Sequence, residues 1–419
     1  MTFSESSTSL AEKTAKSDGG RRNTLQADGP EDVVGILAAI VPNLQKILLE
    51  PDRVLSAAGT ISTSVISPTL RAKGFPDTVS QGTLNLLREL SRLANNQKTW
   101  KKDVGEAFND ARFFSMDMGL VEDGWLPLLK QWTMADKEKM PDIVGRINAP
   151  TTAGIVFGVG ATSARLEADR KTQVNLRRIA TLILSSAEDT FVSDMSTIFD
   201  KLVELLAATA TSSPSSTTRA DIYMVIRALV LKTSPIHLAM FWPVVNAELH
   251  AALSSVVAPD HSSHSDVYTN TSILQACKLL DLLICTAPDD FQLHEWLFIT
   301  DTIDAVYRSS SSHPVALADE LSEELGSAAL QTVADAEAAA HLTASSSHRR
   351  PLIGGGGIGD DVSIERRDEL VAKILRPFFG QLSIFAFEST YSMGVLDWDA
   401  CLQSLLKDVF DDRTIARAV

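Results

Sequence analysis

The sequence predicts an all-α protein of irregularly stacked helical hairpins, an α-solenoid of the HEAT or armadillo kind. Three observations carry that prediction. Apolar residues recur at three- and four-residue spacing in one segment after another. The alternating runs joined by Asn-Gly or Asp-Gly turns, which a sheet protein would repeat many times, are missing. The breaks between segments are short and marked by Pro or Gly, as antiparallel helix pairs require. No fixed repeat length stands out, so the array is expected to be irregular.

Residues 1–27 are rich in Ser, Thr, Lys and Gly and read as a disordered tail. They lack the apolar core of a signal peptide, so secretion is not expected. Asp28-Gly29-Pro30-Glu31 then opens a helix with proline and acid in its first turn. Val33, Ile36, Leu37, Ile40, Val41, Leu44 and Leu48 make the stripe expected to face a core. Pro51 ends that helix, and the pattern resumes with Val54, Leu55, Ala58 and Ile61.

The same spacing marks Leu86, Leu87, Leu90 and Leu93, then Phe191, Met195, Ile198, Phe199 and Leu202. It returns at Ile222, Val225, Ile226 and Leu229, at Ile273, Ala276, Cys277 and Leu280, and at Trp296, Leu297, Ile299 and Ile303. Towards the C-terminus it runs through Val371, Ile374, Leu375, Phe378 and Phe379, then Leu402, Leu405, Leu406 and Val409. The stretch Pro314 to Ala344 is helical with a narrow stripe at Leu317, Leu321, Leu325 and Ala328. Ala208 to Thr218, Pro259 to Asn270, and Ser345 to Asp361 with its glycines Gly354 to Gly357 read as linkers, too polar or glycine-rich to bury. The chain thus divides into the tail over 1–27, a helical repeat-like region over 28–207, a linker over 208–218 and a helical region over 219–308. A variable helix with a Gly/Ser-rich linker over 309–362 and a C-terminal helical segment over 363–419 complete it.

At 419 residues the chain exceeds the ~250–300 at which one core stops growing, which suits several packed units or an array. A net charge of −15 and a pI near 5.0 work against generic nucleic-acid binding, which draws on Lys and Arg to displace counterions. Cys277, Cys285 and Cys401 are too few and too scattered for a disulfide framework or a zinc site, and a reducing compartment fits them. No apolar run approaches the ~20 residues of a membrane-spanning helix, so any membrane contact is expected to be peripheral.

The search for chemistry finds no catalytic residue, metal site or cofactor motif. Gly154 to Ser163 is a glycine-rich run before a helix, but it lacks the Gly-Lys-Ser/Thr end of a Walker loop and a downstream acid. A tight turn or helix contact is the favoured reading there, and a lipid- or nucleotide-handling enzyme centred on it is the competing one. His261 and His264 sit in a Ser-rich loop with only Asp260 and Asp266 near them, short of a zinc ligand set. The carboxylates at Asp189, Asp289-Asp290, Asp360-Asp361 and Asp411-Asp412 lie at helix starts or near the chain end, where capping explains them. Trp125 and Trp132 share a helical face and are expected in the core.

Arg170, Lys171, Arg177 and Arg178 are the candidate binding residues. Heptad spacing brings these four cations to one side of a helix, where they suit an anionic lipid head group or an acidic partner. A solvated face with internal pairs to Glu167 and Asp169 is the plainer alternative. Lys101 and Lys102 after Trp100 form a smaller cluster of the same kind.

Several long segments together resemble the C-terminal part of the Dopey family. They include D-R-V-L-S-A-A-G-T-I-S-T-S-V-I-S-P from Asp52, W-K-K-D-V-G-E-A-F-N-D-A-R-F-F from Trp100, and A-P-T-T-A-G-I-V-F-G-V-G-A-T-S-A-R-L-E-A-D-R-K-T-Q from Ala149. I-R-A-L-V-L-K-T-S-P-I-H-L from Ile226, F-W-P-V-V-N-A-E-L from Phe241, A-C-K-L-L-D-L-L from Ala276, F-Q-L-H-E-W-L-F from Phe291 and F-F-G-Q-L-S-I-F-A-F-E-S-T-Y-S-M-G-V from Phe378 continue the likeness. The resemblance implies a non-enzymatic role in vesicle traffic among endosomes and the Golgi, on the cytosolic membrane face. The partners it implies are a large scaffold related to Arf exchange factors and an aminophospholipid-flipping P-type ATPase. The chain is much shorter than a complete family member, whose N-terminal region is missing here, and functions of that region do not carry over.

Overall fold

A helix buried on every side needs neighbours all round it, and the stretch from Thr218 to Leu231 is buried throughout. The computed structural model describes residues 30–93, 95–148, 161–211, 218–257, 267–300, 316–325, 348–355, 366–391 and 394–416. Its principal helices are α1 (Pro30–Ile40), α2 (Pro51–Ile61), α3 (Gln81–Arg92), α4 (Gln97–Asn109), α5 (Leu126–Met134), α6 (Lys139–Gly145) and α7 (Ala161–Ser185). They continue as α8 (Met195–Thr211), α9 (Thr218–Lys232), α10 (Trp242–Ser254), α11 (Asn270–Thr286), α12 (Leu317–Glu324), α13 (Arg376–Tyr391) and α14 (Trp398–Val409). Among the described residues the one sheet is a two-residue parallel bridge of β1 (His348–Arg349) with β2 (Val395–Leu396). The protein is all-α, its helices stacked as an irregular α-solenoid.

The helix ends follow from local chemistry. Ser80 caps α3 by accepting the N–H of Thr83, Thr269 caps α11 by accepting that of Ser272, and Asp397 caps α14 by accepting that of Ala400. Ala287, with φ of 45°, turns the chain out of α11 through the left-handed region. Asp289 and Asp290 lie in a first turn and Asp411 caps the turn at Asp412, as their positions suggested. Asp360 and Asp361 lie outside the described residues.

Three long helices form the inner layer: α7 packs on α9, and α9 on α11. They run parallel and in register. Gln173 meets Asp221 and Arg227 meets Gln275, each pair 48 residues apart, and Lys232 reaches the Ser186 carbonyl across 46. Parallel neighbours joined in sequence need a returning helix between them, and α8 and α10 supply it, packing on α9 and α11 respectively. The three inner helices therefore follow one another at an offset of 46 to 48 residues, a spacing that no sequence repeat marks.

The N-terminal helices close one end of this layer. Phe108, Phe113, Trp125 and Trp132 form edge-to-face aromatic pairs, and Phe410, beyond α14, reaches Phe113 and Phe114 with ring centroids 5.7 and 5.3 Å apart. Helix α14 lies across α7 and α9 and adds to their cover.

Four expectations change. In α1 the stripe is rotated: Leu37 is half-buried and Val41 and Leu44 are buried, but Val33, Ile36 and Ile40 face outwards and Val34 packs inwards instead. Trp296 stands in a single 3-10 turn and is 55% exposed, because the helix expected there is not formed at Glu295–Leu297. Arg367–Tyr391 is, by length and composition, a helical stretch able to cross a bilayer, contrary to the reading of the apolar runs. Its Leu370, Leu375, Phe378, Phe379 and Leu382 are buried against the rest of the protein.

The fourth change concerns the glycine-rich linker. Within 345–361, residues 348–355 are bound: Arg349 donates to the Ser389 carbonyl at 2.5 Å, its own carbonyl accepts the Asp397 N–H at 2.9 Å, and Leu352 and Ile353 pack on the core. Gly355 passes so close to α14 that a Cβ there would fall onto the backbone of Ser404. Sequence favours a linker because glycine is poor in elements, whereas the structure uses glycine for close backbone approach. Gly355→Ala should therefore lower stability by about 1–3 kcal/mol, as overpacking does. Urea unfolding would measure it, and an unchanged midpoint would contradict the contact.

Candidate functional site

Charged side chains inside apolar helices are the chemically unusual feature of the interior. In α9 the run I-Y-M-V-I-R-A-L-V-L carries Arg227, and in α11 the run I-L-Q-A-C-K-L-L-D-L-L carries Lys278 and Asp281. All three are buried, as are Arg177 and Gln173 of α7, Asp221 of α9 and Asp408 of α14. Burial of an unpaired charge costs several kcal/mol, so each must find a partner.

They find one another. The Asp408 carboxylate accepts from Arg227 Nη1 through one oxygen and from Lys278 Nζ through the other, both at 2.6 Å. Arg227 Nη1 also donates to Gln275 Oε1 at 2.8 Å. Burial works to raise the Asp408 pKa, and Lys278 and Arg227 overcome it, holding the carboxyl below the usual carboxylate range. One residue of α14 thus ties α9 to α11.

Arg177 makes the second tie. Its Nε donates to Asp221 Oδ1 at 2.7 Å, its Nη1 to the carbonyls of Val409 and Asp411 at 2.9 and 2.8 Å, and its Nη2 to Thr414 Oγ1 at 2.5 Å. The guanidinium satisfies carbonyls at the C-terminus of α14, where a cation also complements the helix dipole. Gln173 donates to Asp221 Oδ2 at 2.8 Å and accepts the Ala416 N–H at 2.9 Å. Burial pushes the Asp221 carboxyl up, against the pull of Arg177 and Gln173.

Asp281 holds the glycine-rich segment. Its oxygens accept the backbone N–H groups of Leu352 at 3.0 Å and Ile353 at 2.6 Å. Burial pushes its pKa up to about 7, against those two N–H groups and the charges of Arg227 and Lys278. Cys285 of α11 is a free, buried thiol, and a hydrogen bond with the free Cys401 thiol of α14, then burial, pushes the Cys285 thiol up, which makes it an unreactive core group.

The four cations proposed from spacing do not share an exposed surface. Lys171 is exposed and Arg170 half-buried, paired with Glu167 at 3.7 and 3.6 Å. Arg177 and Arg178 are buried, 1% and 7% exposed. Arg178 donates to the carbonyls of Phe108 and Asn109 at 2.9 and 2.5 Å, at the C-terminus of α4, and to Asn175 Oδ1 at 2.7 Å. The heptad spacing holds, but the face it defines runs from solvent into the core. Residues 154–160 of the glycine-rich run, and His261 and His264, lie outside the described residues. Trp125 and Trp132 are core residues.

A family profile described as DOP1 C-terminal matches residues 2–392. The chain belongs to the DOP1, or Dopey, family. It is 46% identical over 395 residues to Protein dop1 of Emericella nidulans, covering 94% of this chain and 21% of that protein. Protein DOP1 of Saccharomyces cerevisiae is 26% identical over 366 residues, covering 85% of this chain and 20% of its own length. Protein pad-1 of Caenorhabditis elegans is 26% identical over 265 residues, covering 60% and 10%. This Dopey chain therefore spans about a fifth of the length of the two fungal relatives. No solved structure matches it.

Sequence reasoning about this Dopey region missed Gln173, Asp221, Arg227, Gln275, Lys278, Asp281 and Asp408. The available signal was a charge at a helical position where spacing demands an apolar residue. Asp408→Ala should destabilise the protein by roughly 3–5 kcal/mol, the cost of leaving two buried cations without their acid; chemical denaturation reads this directly. Asp281 gives a pH signature: with its folded-state pKa raised from 3.8 to about 7, the folded protein keeps a proton that the unfolded chain has lost. Its contribution is present below the unfolded value and lost as pH rises through that window. Melting temperatures of the wild type relative to Asp281→Asn should fall as pH rises from about 4 to 7, and a difference that grows with pH would contradict the assignment.

Proposed function

We propose that this chain is a non-enzymatic scaffold for vesicle and protein traffic between endosomes and the Golgi, held at the cytosolic membrane face by protein partners. Its partners are a large scaffold related to Arf exchange factors and an aminophospholipid-flipping P-type ATPase. Family membership supports this reading, and the observation that carries it is where the interior charges are spent. Asp408, Asp221 and Asp281 each bond a different helix or segment, Asp408 to α9 and α11, Asp221 to α7, Asp281 to residues 352–353, so the strongest electrostatics serve to fix helices against one another. A rigid array of stacked helices is the architecture from which extended binding surfaces are built.

The test is cellular. A fluorescently tagged chain should overlap endosome and Golgi markers, and both partner classes should co-purify with it from detergent-solubilised membranes. Asp408→Ala, which undoes the charged seam, should lose both. A diffuse distribution with neither partner recovered would overturn the proposal.

A further inference from the structure

A second cluster of charge lies on the opposite side of α4 from its own core contacts and takes no part in the buried seam. Lys101, Lys102 and Glu106 of α4 face Lys139 and Asp142 of α6 and Arg146 just beyond it, around an open pocket of about 230 Å³. Trp132 of α5 also lines it. Gly105 of α4 lines the pocket too and lies close against the Trp132 ring, a Cβ there standing 3.3 Å from it. This volume is below the roughly 300–1,000 Å³ of drug-sized sites and suits a small ligand.

With Arg71, which pairs with Glu106 at 2.5 Å, and Asp136, which pairs with Lys139, five cations and three carboxylates leave an excess of two positive charges at the pocket, on a chain whose net charge is −15. The cations are held in place. Lys101 Nζ donates to the Ala135 carbonyl at 2.8 Å, and Arg146 donates to Asn109 Oδ1 at 2.8 Å and Asp142 Oδ2 at 2.5 Å. Lys139 sits 5.4 Å from the centre of the Trp132 ring and 3.2 Å from Asp136. Lys102 stands at the rim, 66% exposed and 4.0 Å from Glu106. The positive field reaches the interior: burial first, and then the charge of Arg146, pulls Arg178 down to about 10.

We propose that this pocket binds a phosphate dianion, as inorganic phosphate or the phosphomonoester of a larger molecule. A phosphomonoester carries about −1.5 to −2 charge at neutral pH, which matches the local excess, and a fixed guanidinium beside lysines is the donor set such a group recruits. The inference stands on the pocket alone and does not depend on the scaffold reading.

The experiment uses the full chain with inorganic phosphate and glycerol 3-phosphate in calorimetry, and with phosphatidylcholine vesicles containing or lacking phosphatidic acid in flotation. Phosphate should bind, and Lys102→Gln with Lys139→Gln should weaken binding by about tenfold or more, given roughly 1 kcal/mol for each lysine near an anionic group. Arg170→Gln with Lys171→Gln removes the same charge from α7 and should leave binding unchanged. Binding of the soluble phosphates identifies a free phosphate ligand, and binding confined to phosphatidic acid vesicles identifies a lipid head group; either supports the pocket if the Lys102/Lys139 variant alone loses it. No binding of any probe, or equal loss in the two double variants, would overturn the proposal. Melting temperatures of both variants check that each is folded.

Discussion

The arrangement of the inner helices rests on a single carboxylate. Asp408 reaches from α14 into the space between α9 and α11 and neutralises Arg227 and Lys278 together. Those cations lie on helices that are buried around their whole circumference, so without Asp408 two charges would remain in a medium that cannot solvate them. A buried ion pair adds little to stability compared with a well-packed apolar replacement, but breaking one is costly. Here the pair joins three helices, one carboxylate of α14 meeting a cation of α9 and a cation of α11. Arg177 and Arg178 extend the same logic along α7, the first satisfying carbonyls at the end of α14 and the second those at the end of α4.

These two neighbouring arginines show why a helix of mixed character can stand at the centre of a fold. On α7 they point to helices from opposite parts of the chain, one about 70 residues before it and one about 230 after. Each uses its planar fork of donors against backbone carbonyls at or just beyond the end of a helix. The apolar contacts of the layer are non-directional and would tolerate sliding; the guanidinium bonds do not.

How much of this could be read in the sequence depends on the length scale of the interaction. Helical periodicity is local, and it located the segments that became α3, α9, α11 and α14 from Leu86, Ile222, Ile273 and Leu402 and their neighbours. Where one face of a helix is covered and the other is not, as in α1, spacing alone could not say which of Val33 and Val34 turns inwards. The buried seam was invisible for a different reason. Arg177, Arg227 and Lys278 look like surface charges until a carboxylate far along the chain is placed beside them, and the spacing that suggested an exposed cationic strip is equally the spacing of a row that dives into the core. Gly355 misled in the same way, since close approach and flexibility both call for glycine.

The return of α14 across α7 and α9 also has a bearing on how the chain acquires its structure as it is made. Arg177 finds its carbonyl partners 232 and 234 residues downstream, and Lys278 its acid 130 residues downstream. While synthesis is in progress Arg177 can already meet Asp221 of α9, but α9 and α11 emerge with Arg227 and Lys278 still lacking the acid that α14 brings. During that interval the nascent chain exposes the faces of α7 and α9 that α14 will cover, the kind of surface on which unfinished chains aggregate.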